Sequence, residues 1–350
     1  MKRGTGMVAT LKDVAQRTGV SIKTVSNVVN GLGRMSDKTR ERVQATLVEL
    51  QYQPNLPARY LRHSTVGVLA LAIPDFNSYF ADIGDEIINA ASAVGYTVLV
   101  DHTRGTRTNE ALVINGLRPH LIDGVILNAM ELEPEDLAEH VQIPTVLLGE
   151  RLFHAPYDHV LIDNVAAAYQ VTRHLIQQGY QRIAAIGLKP SEQAAESTSR
   201  FRLSGYRKAL EDAGFVYDET LIKSAYYYNR VEGMQAMQEL LALAEPPDAV
   251  FCFNDLLALG ALHALHGAGL SIPEDVAIVG FDDIEEGRYS YPTLTTISPD
   301  KAQIAKLAVE FLLGRINGTR REPAERVEVP FELKIRQSSA SSVTRTKGLS

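Results

Sequence analysis

A short segment near the start of the chain, residues 21–27, concentrates polar side chains of several kinds within two predicted helical turns. Hydroxyl, amide and ammonium groups, together with one apolar side chain, are the groups that contact base edges and phosphates in a DNA groove. The residues of this segment expected to face outward are Ile22, Lys23, Thr24, Ser26 and Asn27. Their types and spacing therefore predict a surface that contacts nucleic acid.

Two short helices joined by a turn would position this surface. Thr10 and Ser21 are typical N-cap residues, and Asp13, three residues after Thr10, completes a capping box. The sequence Thr18-Gly19-Val20 between them is typical of a tight turn. Apolar residues at helical spacing are expected to bury against one another and a third helix, namely Val14, Ala15, Val25, Val28 and Val29. The pattern predicts a helix-turn-helix, although any small three-helix bundle could contain a similar turn.

A third helix is predicted to begin after Ser36 and Asp37, because serine is a good N-cap and an apolar stripe follows. The stripe consists of Val43, Leu47, Leu50 and Tyr52. This helix would pack the first two together.

The segment resembles the DNA-binding headpiece of the lactose-repressor/galactose-repressor (LacI/GalR) family. The matching residues are Thr10-Leu11, Asp13-Val14-Ala15, Gly19-Val20-Ser21 and Thr24-Val25-Ser26 through Asn30. The resemblance implies that Thr10, Ser21 and Asn30 contact DNA together with the outward-facing residues. Asn27 departs from the family, which usually has arginine there, and an amide favours adenine.

Residues 54–64 resemble the hinge segment of the same family, in which a helix forms on operator binding and a leucine enters the minor groove. Asn55, Ala58 and Leu61 match its DNA-contacting positions. A helix of fewer than roughly 12 residues is marginal in water, so its folding should depend on DNA and on a second copy. Pro57 falls in the first turn if Asn55 is the cap, where a missing N–H costs little. Alternatively, Leu61 is an apolar linker residue that rests on the large domain.

Charge is distributed unevenly along the chain. Residues 1–63 hold 11 Lys and Arg against four Asp and Glu, a net charge of +7, whereas all 350 residues carry −7 and the remainder therefore −14. A basic head attracts DNA while an acidic body is repelled, which orients the encounter and makes affinity fall with salt.

Targeting signals and membrane segments are not expected. No apolar run approaches 18 residues, and no apolar stretch follows the N-terminal cations as it would in a secretory signal. The single cysteine, Cys252, lies in an apolar run and fits the core of a protein in a reducing compartment. These features predict a cytoplasmic, nucleoid-associated protein.

From Val66 onward, apolar strand-like runs alternate with amphipathic helical stretches, which is typical of βαβ units and parallel sheets. Strands are predicted at 66–73, 96–103, 124–130, 144–150, 182–188, 249–254 and 275–283. Helices are predicted near 78–94, 108–118, 134–139, 164–178, 199–213 and 255–267. Because the pattern restarts at His159, the α/β part should consist of two doubly wound halves.

This part resembles the two-lobed periplasmic-binding-protein core of the same repressor family, up to about residue 337. The matching motifs are Asn254-Asp255-x-x-Ala258-x-Gly260, Gly280-Phe281-Asp282-Asp283 and Pro292-x-Leu294-Thr295-Thr296-Ile297. The implied organisation is a helix-turn-helix domain at 1–53, a hinge at 54–64, an effector-binding and dimerisation domain at 65–337 and a flexible tail at 338–350. The two lobes would be 65–162, with 293–325 partly crossing, and 163–292. The tail has no leucine heptads, which disfavours tetramers.

Ligands of open α/β sheets bind beyond the carboxyl ends of the strands, and with two such lobes they bind in the cleft between them. The residues predicted there are Asp75, Phe76, Asn77, Phe80, Glu150, Arg151, Arg202, Tyr228, Asn254 and Asp282. The resemblance implies that Arg202, Asn254 and Asp282 hydrogen-bond the effector and that Tyr228 stacks on it. Vicinal hydroxyl groups suit Arg and carboxylate, and sugar C–H faces suit aromatic rings, so the expected effector is a sugar or sugar derivative.

Two alternatives remain open at this predicted site. Glu150 and Arg151 could form only an ion pair at the edge of a domain, and the three consecutive residues Tyr226, Tyr227 and Tyr228 leave the stacking residue undecided.

Catalytic and metal-binding motifs are weak. Gly31-Leu32-Gly33 follows a helix and lacks a third glycine at Ser36, and no other zinc ligands accompany His263 and His266 at suitable spacing. The sequence therefore predicts no cofactor, no metal and no enzymatic activity.

Together with the LacI/GalR resemblance, the sequence indicates a transcription regulator, in particular a repressor, that binds a near-palindromic operator as a homodimer under control of a small molecule. The alternatives are a sugar-modifying or nicotinamide-dependent enzyme and a transport binding protein.

Overall fold

The computed structural model describes residues 9–29, 35–50, 52, 65–115, 121–137, 143–152, 154–190 and 197–340. The chain divides into two compact units after Val66. Five residues considered for DNA contact or hinge folding lie outside the described residues, namely Asn30, Asn55, Pro57, Ala58 and Leu61.

The described residues of the first unit form three helices, α1 (Leu11–Thr18), α2 (Ile22–Val29) and α3 (Asp37–Glu49). The Thr10 N–H donates to Asp13 Oδ2 at 2.7 Å and the Asp13 N–H donates to Thr10 Oγ1 at 3.4 Å, which confirms the predicted capping box. Gly19 ends α1 in the left-handed conformation, with φ 67°. The predicted turn is therefore confirmed as well.

A small apolar core holds these helices together. Its buried residues are Val14, Ala15, Val25 and Val43, and those packed around it are Leu11, Val20, Val28, Val29, Leu47, Leu50 and Tyr52. Both predicted apolar stripes thus face the same core.

In the part of the second unit that the structure describes, the strands form two six-stranded sheets. The first sheet consists of β1 (Val68–Ile73), β2 (Thr97–His102), β3 (Gly124–Leu127), β4 (Thr145–Leu148), β5 (Asp158–Leu161) and β11 (Arg326–Glu328). The second sheet consists of β6 (Ile183–Leu188), β7 (Ile222–Ser224), β8 (Ala249–Cys252), β9 (Ala277–Phe281), β10 (Thr295–Pro299) and β12 (Phe331–Lys334). Cys252 is buried in β8, as predicted.

Helices cover these sheets. They are α4 (Ser78–Ala93), α5 (Arg107–Ile114), α6 (Asn164–Gln177), α7 (Thr198–Asp212), α8 (Arg230–Leu241), α9 (Asp255–Gly267), α10 (Glu285–Tyr289) and α11 (Lys301–Ile316). Short 3-10 helices occur at Pro134–Leu137 and Glu219–Leu221. The first of these replaces the helix predicted near 134–139.

The strand order is β11-β5-β4-β3-β1-β2 in the first sheet and β12-β10-β9-β8-β6-β7 in the second. All pairs are parallel except β10 with β12. In each sheet the chain reverses its direction of winding beside the first strand, between β1 and β3 and between β6 and β8. Such topological switch points form ligand crevices at the carboxyl ends of parallel strands.

The chain passes between the two lobes three times, after β5, after β10 and after β11. The segment predicted to cross from the second lobe to the first, 293–325, differs from the observed one at both of its bounds. Strand β10 still belongs to the second sheet, whereas α11 packs against α4, β3, β4 and β5 of the first lobe and β11 pairs with β5. The segment of the first lobe supplied by the C-terminal part of the chain is therefore 301–328.

Of the predicted flexible tail at 338–350, residues 341–350 lie outside the described residues, and the tail cannot include its first two residues. Ser338 and Ser339 are fully buried. Ser338 Oγ donates to the Ile278 carbonyl at 2.6 Å, and Ser339 Oγ lies 2.8 Å from His174 Nε2. Both serines are thus hydrogen-bonded parts of the second lobe.

Helices α8 and α9 approach each other through glycines. A Cβ atom built on Gly260 would overlap with the Arg230 carbonyl oxygen and would lie 2.7 Å from the Met234 backbone nitrogen. A Cβ atom on Gly233 would overlap with the Leu257 carbonyl oxygen. The two backbones are therefore too close for any side chain at either position.

We expect Gly260→Ala to destabilise the second unit by about 2 kcal/mol or more, because the packed helices must separate. Gly267→Ala, at the end of the same helix, is the matched control, since nothing lies within 4 Å of its built Cβ. The control should be neutral or stabilising by about 0.5 kcal/mol. Urea unfolding of both variants measures the difference, and equal midpoints would contradict the close-packing argument.

Candidate functional site

The predicted DNA-contact residues that the structure describes lie on α2 and at two helix starts. Ile22, which is 45% exposed, and Lys23 face solvent at the start of α2. The remaining three outward-facing candidates on α2 are partly exposed, namely Thr24, Ser26 and Asn27. This face of α2 is therefore accessible within the first unit.

Thr10 and Ser21 already have hydrogen bonds of their own. Thr10 Oγ1 donates to Asp13 Oδ2 at 2.7 Å. Ser21 Oγ accepts the Thr24 N–H at 3.0 Å and lies 2.9 Å from Thr24 Oγ1. Both hydroxyls thus stabilise helix starts and keep a second lone pair or a rotatable proton for another partner.

In the second unit, a cavity of about 700 Å³ lies at the carboxyl ends of the strands of both sheets. Residues directly beyond strand ends line it, including Asn128 after β3, Lys189 after β6 and Asp282 after β9. The cavity therefore occupies the place that the two switch points define.

Nine of the ten residues predicted for a ligand site line this cavity, namely Asp75, Asn77, Phe80, Glu150, Arg151, Arg202, Tyr228, Asn254 and Asp282. Phe76 does not. Its side chain is 63% exposed, and its ring centroid lies 5.1 Å from that of His102. The Asp75 carboxylate accepts the Asn77 N–H at 2.7 Å, so the loop has a fixed turn that directs the side chain between these two residues away from the cavity.

Arg202 is buried in the cavity wall with its guanidinium extensively bonded. Its Nε donates to Asn164 Oδ1 at 2.7 Å, and its Nη1 donates to the Phe253 carbonyl. The guanidinium carbon lies 3.4 Å from the ring centroid of Phe281, in stacking distance. This arrangement fixes the guanidinium and presents it to the cavity.

Glu150 and Arg151 do not pair with each other. Glu150 accepts from Thr198 Oγ1 at 3.0 Å and from the Asn164 side-chain amide. Arg151 donates to Glu133 Oε1 at 2.5 Å. The alternative of a Glu150–Arg151 ion pair at a domain edge is therefore wrong.

Asp282 combines burial with an unusual backbone conformation. It is 9% exposed, and its φ of 113° is rarely adopted by a residue other than glycine. Burial raises the pKa of its carboxyl to about 7, although the positive charges of Arg202 and Lys301 oppose the shift. Among the described residues no group hydrogen-bonds its carboxylate, which leaves both oxygens for a ligand that donates hydrogen bonds.

Tyr228 also has a left-handed backbone, with φ 55°. Its hydroxyl donates to the Gly187 carbonyl, and its own carbonyl accepts from Asn254 Nδ2 at 3.0 Å. Burial raises the pKa of Tyr228, so its phenol stays neutral. Tyr226 and Tyr227 line the same cavity but are more exposed.

Several lining residues were absent from the prediction, namely Tyr79, His102, Arg104, Asn128, Glu131, Asn164, Lys189 and Thr198. Most of them directly follow a strand or begin the next helix, so the strand-end argument could have found them. The Oδ1 atom of Asn128 is buried and has no hydrogen-bond partner among the described residues, which makes it a further acceptor for a ligand.

Glu110 supports the cavity wall from behind. Its buried carboxylate accepts the N–H groups of Met130, Glu131 and Leu132 at 2.9, 3.0 and 3.0 Å. Burial raises the pKa of this carboxyl, and the three backbone donors oppose that rise. Because Met130 and Glu131 line the cavity, Glu110 determines the position of part of its wall.

Among the described residues, no helix is long and apolar enough to cross a membrane. No group of three or more His, Cys, Asp or Glu side chains in the same part of the chain could hold a metal ion.

A small helical unit with an exposed polar helix, joined to a two-lobed α/β unit with a strand-end cavity, defines a ligand-responsive DNA-binding protein. Residues 10–55 match the bacterial regulatory proteins of the lacI family, and residues 172–339 match a periplasmic binding protein-like domain. The HTH-type transcriptional repressor PurR of Erwinia tasmaniensis is 33% identical over 346 residues, which are 97% of this chain and 99% of that protein.

Two solved structures are similar along nearly the whole chain. A complex of the transcriptional regulator CelR with cellobiose is 31% identical, with a TM-score of 0.70 over 94% of this chain and 99% of that one. A lac repressor dimer bound to operator and the anti-inducer ONPF is 26% identical, with a TM-score of 0.78 over 96% of this chain and 100% of that one. The chain belongs to the LacI family. Like these relatives, it is a DNA-binding transcriptional repressor and not an enzyme.

We expect Asp282→Asn to stabilise the protein at pH 8 by on the order of 2 kcal/mol and to leave its stability nearly unchanged at pH 4. The folded-state pKa of about 7 exceeds the unfolded value, so the wild type loses stability as pH rises from the unfolded pKa to about 7, and the amide does not. Thermal unfolding from pH 4 to 8 measures this effect. Asp85→Asn, on the exposed face of α4, should follow the wild type, and parallel curves for all three proteins would contradict the prediction.

Proposed function

We propose that this repressor binds a near-palindromic operator as a homodimer and that a sugar or sugar derivative in the strand-end cavity controls its operator affinity. The observation that carries the effector assignment is that one cavity presents both a buried acceptor, Asp282, and a buried donor, Arg202. Adjacent hydroxyl groups of a sugar can bond both at once. A two-fold symmetric protein with one reading helix per copy requires a two-fold symmetric site.

The DNA contacts proposed for the headpiece involve α2, the residues on either side of it and the start of α1. The residues are Thr10, Ser21, Ile22, Lys23, Thr24, Ser26, Asn27 and Asn30. Hinge contacts are proposed for Asn55, Ala58 and Leu61. The exposure of Ile22 and Lys23 and the net charge of +7 on residues 1–63 support the first set. We also propose a cytoplasmic, nucleoid-associated location, since the operator is there.

The remaining polar groups of the cavity support a neutral, hydroxyl-rich effector. Asn254 and Asn128 present amide groups, and Tyr228 presents an aromatic ring for an apolar C–H face. The similar CelR structure contains cellobiose. A purine is the competing effector class, because planar bases also stack on aromatic rings and bond amides.

Effector binding between the lobes would change their relative angle and, through the hinge, the operator affinity. The coupling is reciprocal: whatever factor the effector imposes on operator binding, the operator imposes on effector binding.

The test begins with selection of bound fragments from the source genome, followed by fluorescence anisotropy on the selected duplex with sugars and purines. We expect a near-palindromic duplex, an affinity that falls steeply with salt, and a 5- to 150-fold change in Kd with at least one sugar. Failure to prefer any duplex over random competitor would refute operator binding. A response to purines alone would refute the sugar assignment.

Lys23→Ala should change the base preference at one position of each half-site, because an exposed ammonium in the major groove bonds guanine acceptors. We expect the discrimination at that position to fall by about 1–3 kcal/mol. A binding-site selection with wild type and variant measures it. Lys208→Ala, which removes an exposed cation from the second unit, should leave the preference unchanged. A uniform loss of affinity across all sequences would instead make Lys23 a phosphate contact.

A further inference from the structure

Two tyrosines at the mouth of the effector cavity are largely exposed to solvent. Tyr226 is 47% exposed and Tyr227 is 73% exposed, yet both line the cavity. Their ring centroids lie 4.8 Å apart with the planes at 81°. The two rings together form an angled aromatic surface, which we name the mouth platform.

The backbone under the mouth platform is fixed. The N–H groups of Tyr226 and Tyr227 each donate to one oxygen of the Glu232 carboxylate, both at 2.8 Å. Glu232 itself is anchored in the first turn of α8, where its N–H donates to Asn229 Oδ1 at 3.0 Å. The platform is therefore preorganised, so a ligand that stacks on it loses little further entropy from the loop.

Hydrogen-bonding groups of both lobes flank this platform. Lys189 Nζ lies 5.4 Å from the ring centroid of Tyr226 and pairs with Glu131 Oε1 of the first lobe at 3.3 Å. A ligand ring on the platform could thus bond an ammonium and a carboxylate as well as stack. These are the two kinds of contact that a pyranose ring makes with proteins.

The buried part of the site is separate from the platform. Arg202, Asn254 and Asp282 are each less than a tenth exposed, and Tyr228 connects them in sequence to Tyr227. The whole cavity of about 700 Å³ is in the range that encloses drug-sized ligands. A cavity of this size has room for more than one hexose ring, so a ligand held by the buried groups can extend to the platform.

We infer that the effector is a saccharide of at least two linked rings, one held by Arg202, Asn254 and Asp282 and the next stacked on Tyr226 and Tyr227. This inference rests on the proposed sugar-controlled function and specifies its ligand class.

The test is isothermal titration of the full-length protein with matched single-ring and two-ring sugars. The probes are glucose, galactose, mannose and xylose, together with α- and β-linked disaccharides built from them. We expect at least one disaccharide to bind tenfold or more tightly than either of its component monosaccharides.

Variants locate the second ring. Tyr226→Ala combined with Tyr227→Ala should weaken the preferred disaccharide at least tenfold and leave the monosaccharide affinity within about twofold. The matched control, Tyr226→Phe with Tyr227→Phe, keeps the aromatic surface and should retain most of the disaccharide affinity. Asp282→Asn should weaken both classes of sugar. Thermal unfolding of each variant verifies that the fold is intact.

Each contrary outcome has a distinct meaning. Equal affinity for monosaccharides and disaccharides would overturn the two-ring inference and leave the sugar-controlled function standing. A disaccharide preference that survives the double alanine variant would overturn the role of the mouth platform. Binding of purines with no binding of any sugar would overturn both the inference and the proposed function.

Discussion

The hydrogen bonds of one buried guanidinium, that of Arg202, connect the two lobes of the second unit at the cavity. Arg202 on α7 bonds Asn164 at the start of α6, Asn164 bonds Glu150 beyond β4 of the first lobe, and Glu150 accepts from Thr198, one turn before Arg202 on α7. The bonds form a closed ring that joins the two lobes at the cavity. Removal of one member would leave a buried charge or polar atom without its partner, which is the costly kind of loss. The ring therefore holds the ligand groups in place and also connects the lobes that a ligand would move.

Local signals made much of this architecture predictable. Thr10 and Asp13 bond each other within one turn, and Gly19 needs only its own left-handed backbone, so neither depends on distant parts of the chain. Buried parallel strands read as continuous apolar runs, and their ends meet at one edge of a sheet. For this reason residues such as Asn254 and Asp282, distant in sequence from Asp75, could be assigned to one cavity from the sequence.

The sequence predictions were wrong or incomplete where tertiary packing, rather than the pattern of apolar residues, determines the structure. Helix α8 was not predicted, although its buried residues Gly233, Ala236, Met237 and Leu240 recur at helical spacing. Gly233 lets it approach α9 closely, which no apolar count along the sequence indicates. Glu110 looks like a solvent-facing helix residue in sequence, and only the tertiary fold brings three backbone N–H groups to it. The prediction for Phe76 was wrong for a related reason. A position beside a strand end predicts where the backbone lies, but it does not predict the direction of the side chain.

The electrostatics of Asp282 restrict the chemistry that the cavity can accept. Burial raises the pKa of this carboxyl to about 7, so its ionised form destabilises the folded protein. A ligand that donates hydrogen bonds to the carboxylate offsets this destabilisation. An anionic ligand in the same place would add a second negative charge in a poorly solvated site and would bind more weakly as pH rises. A neutral polyol supplies donors without a like charge, so its binding strengthens as the carboxylate forms. Under the proposed function, the residue that weakens the ligand-free fold is therefore also the one that would select the ligand, and this opposition between stability and recognition is common at binding sites.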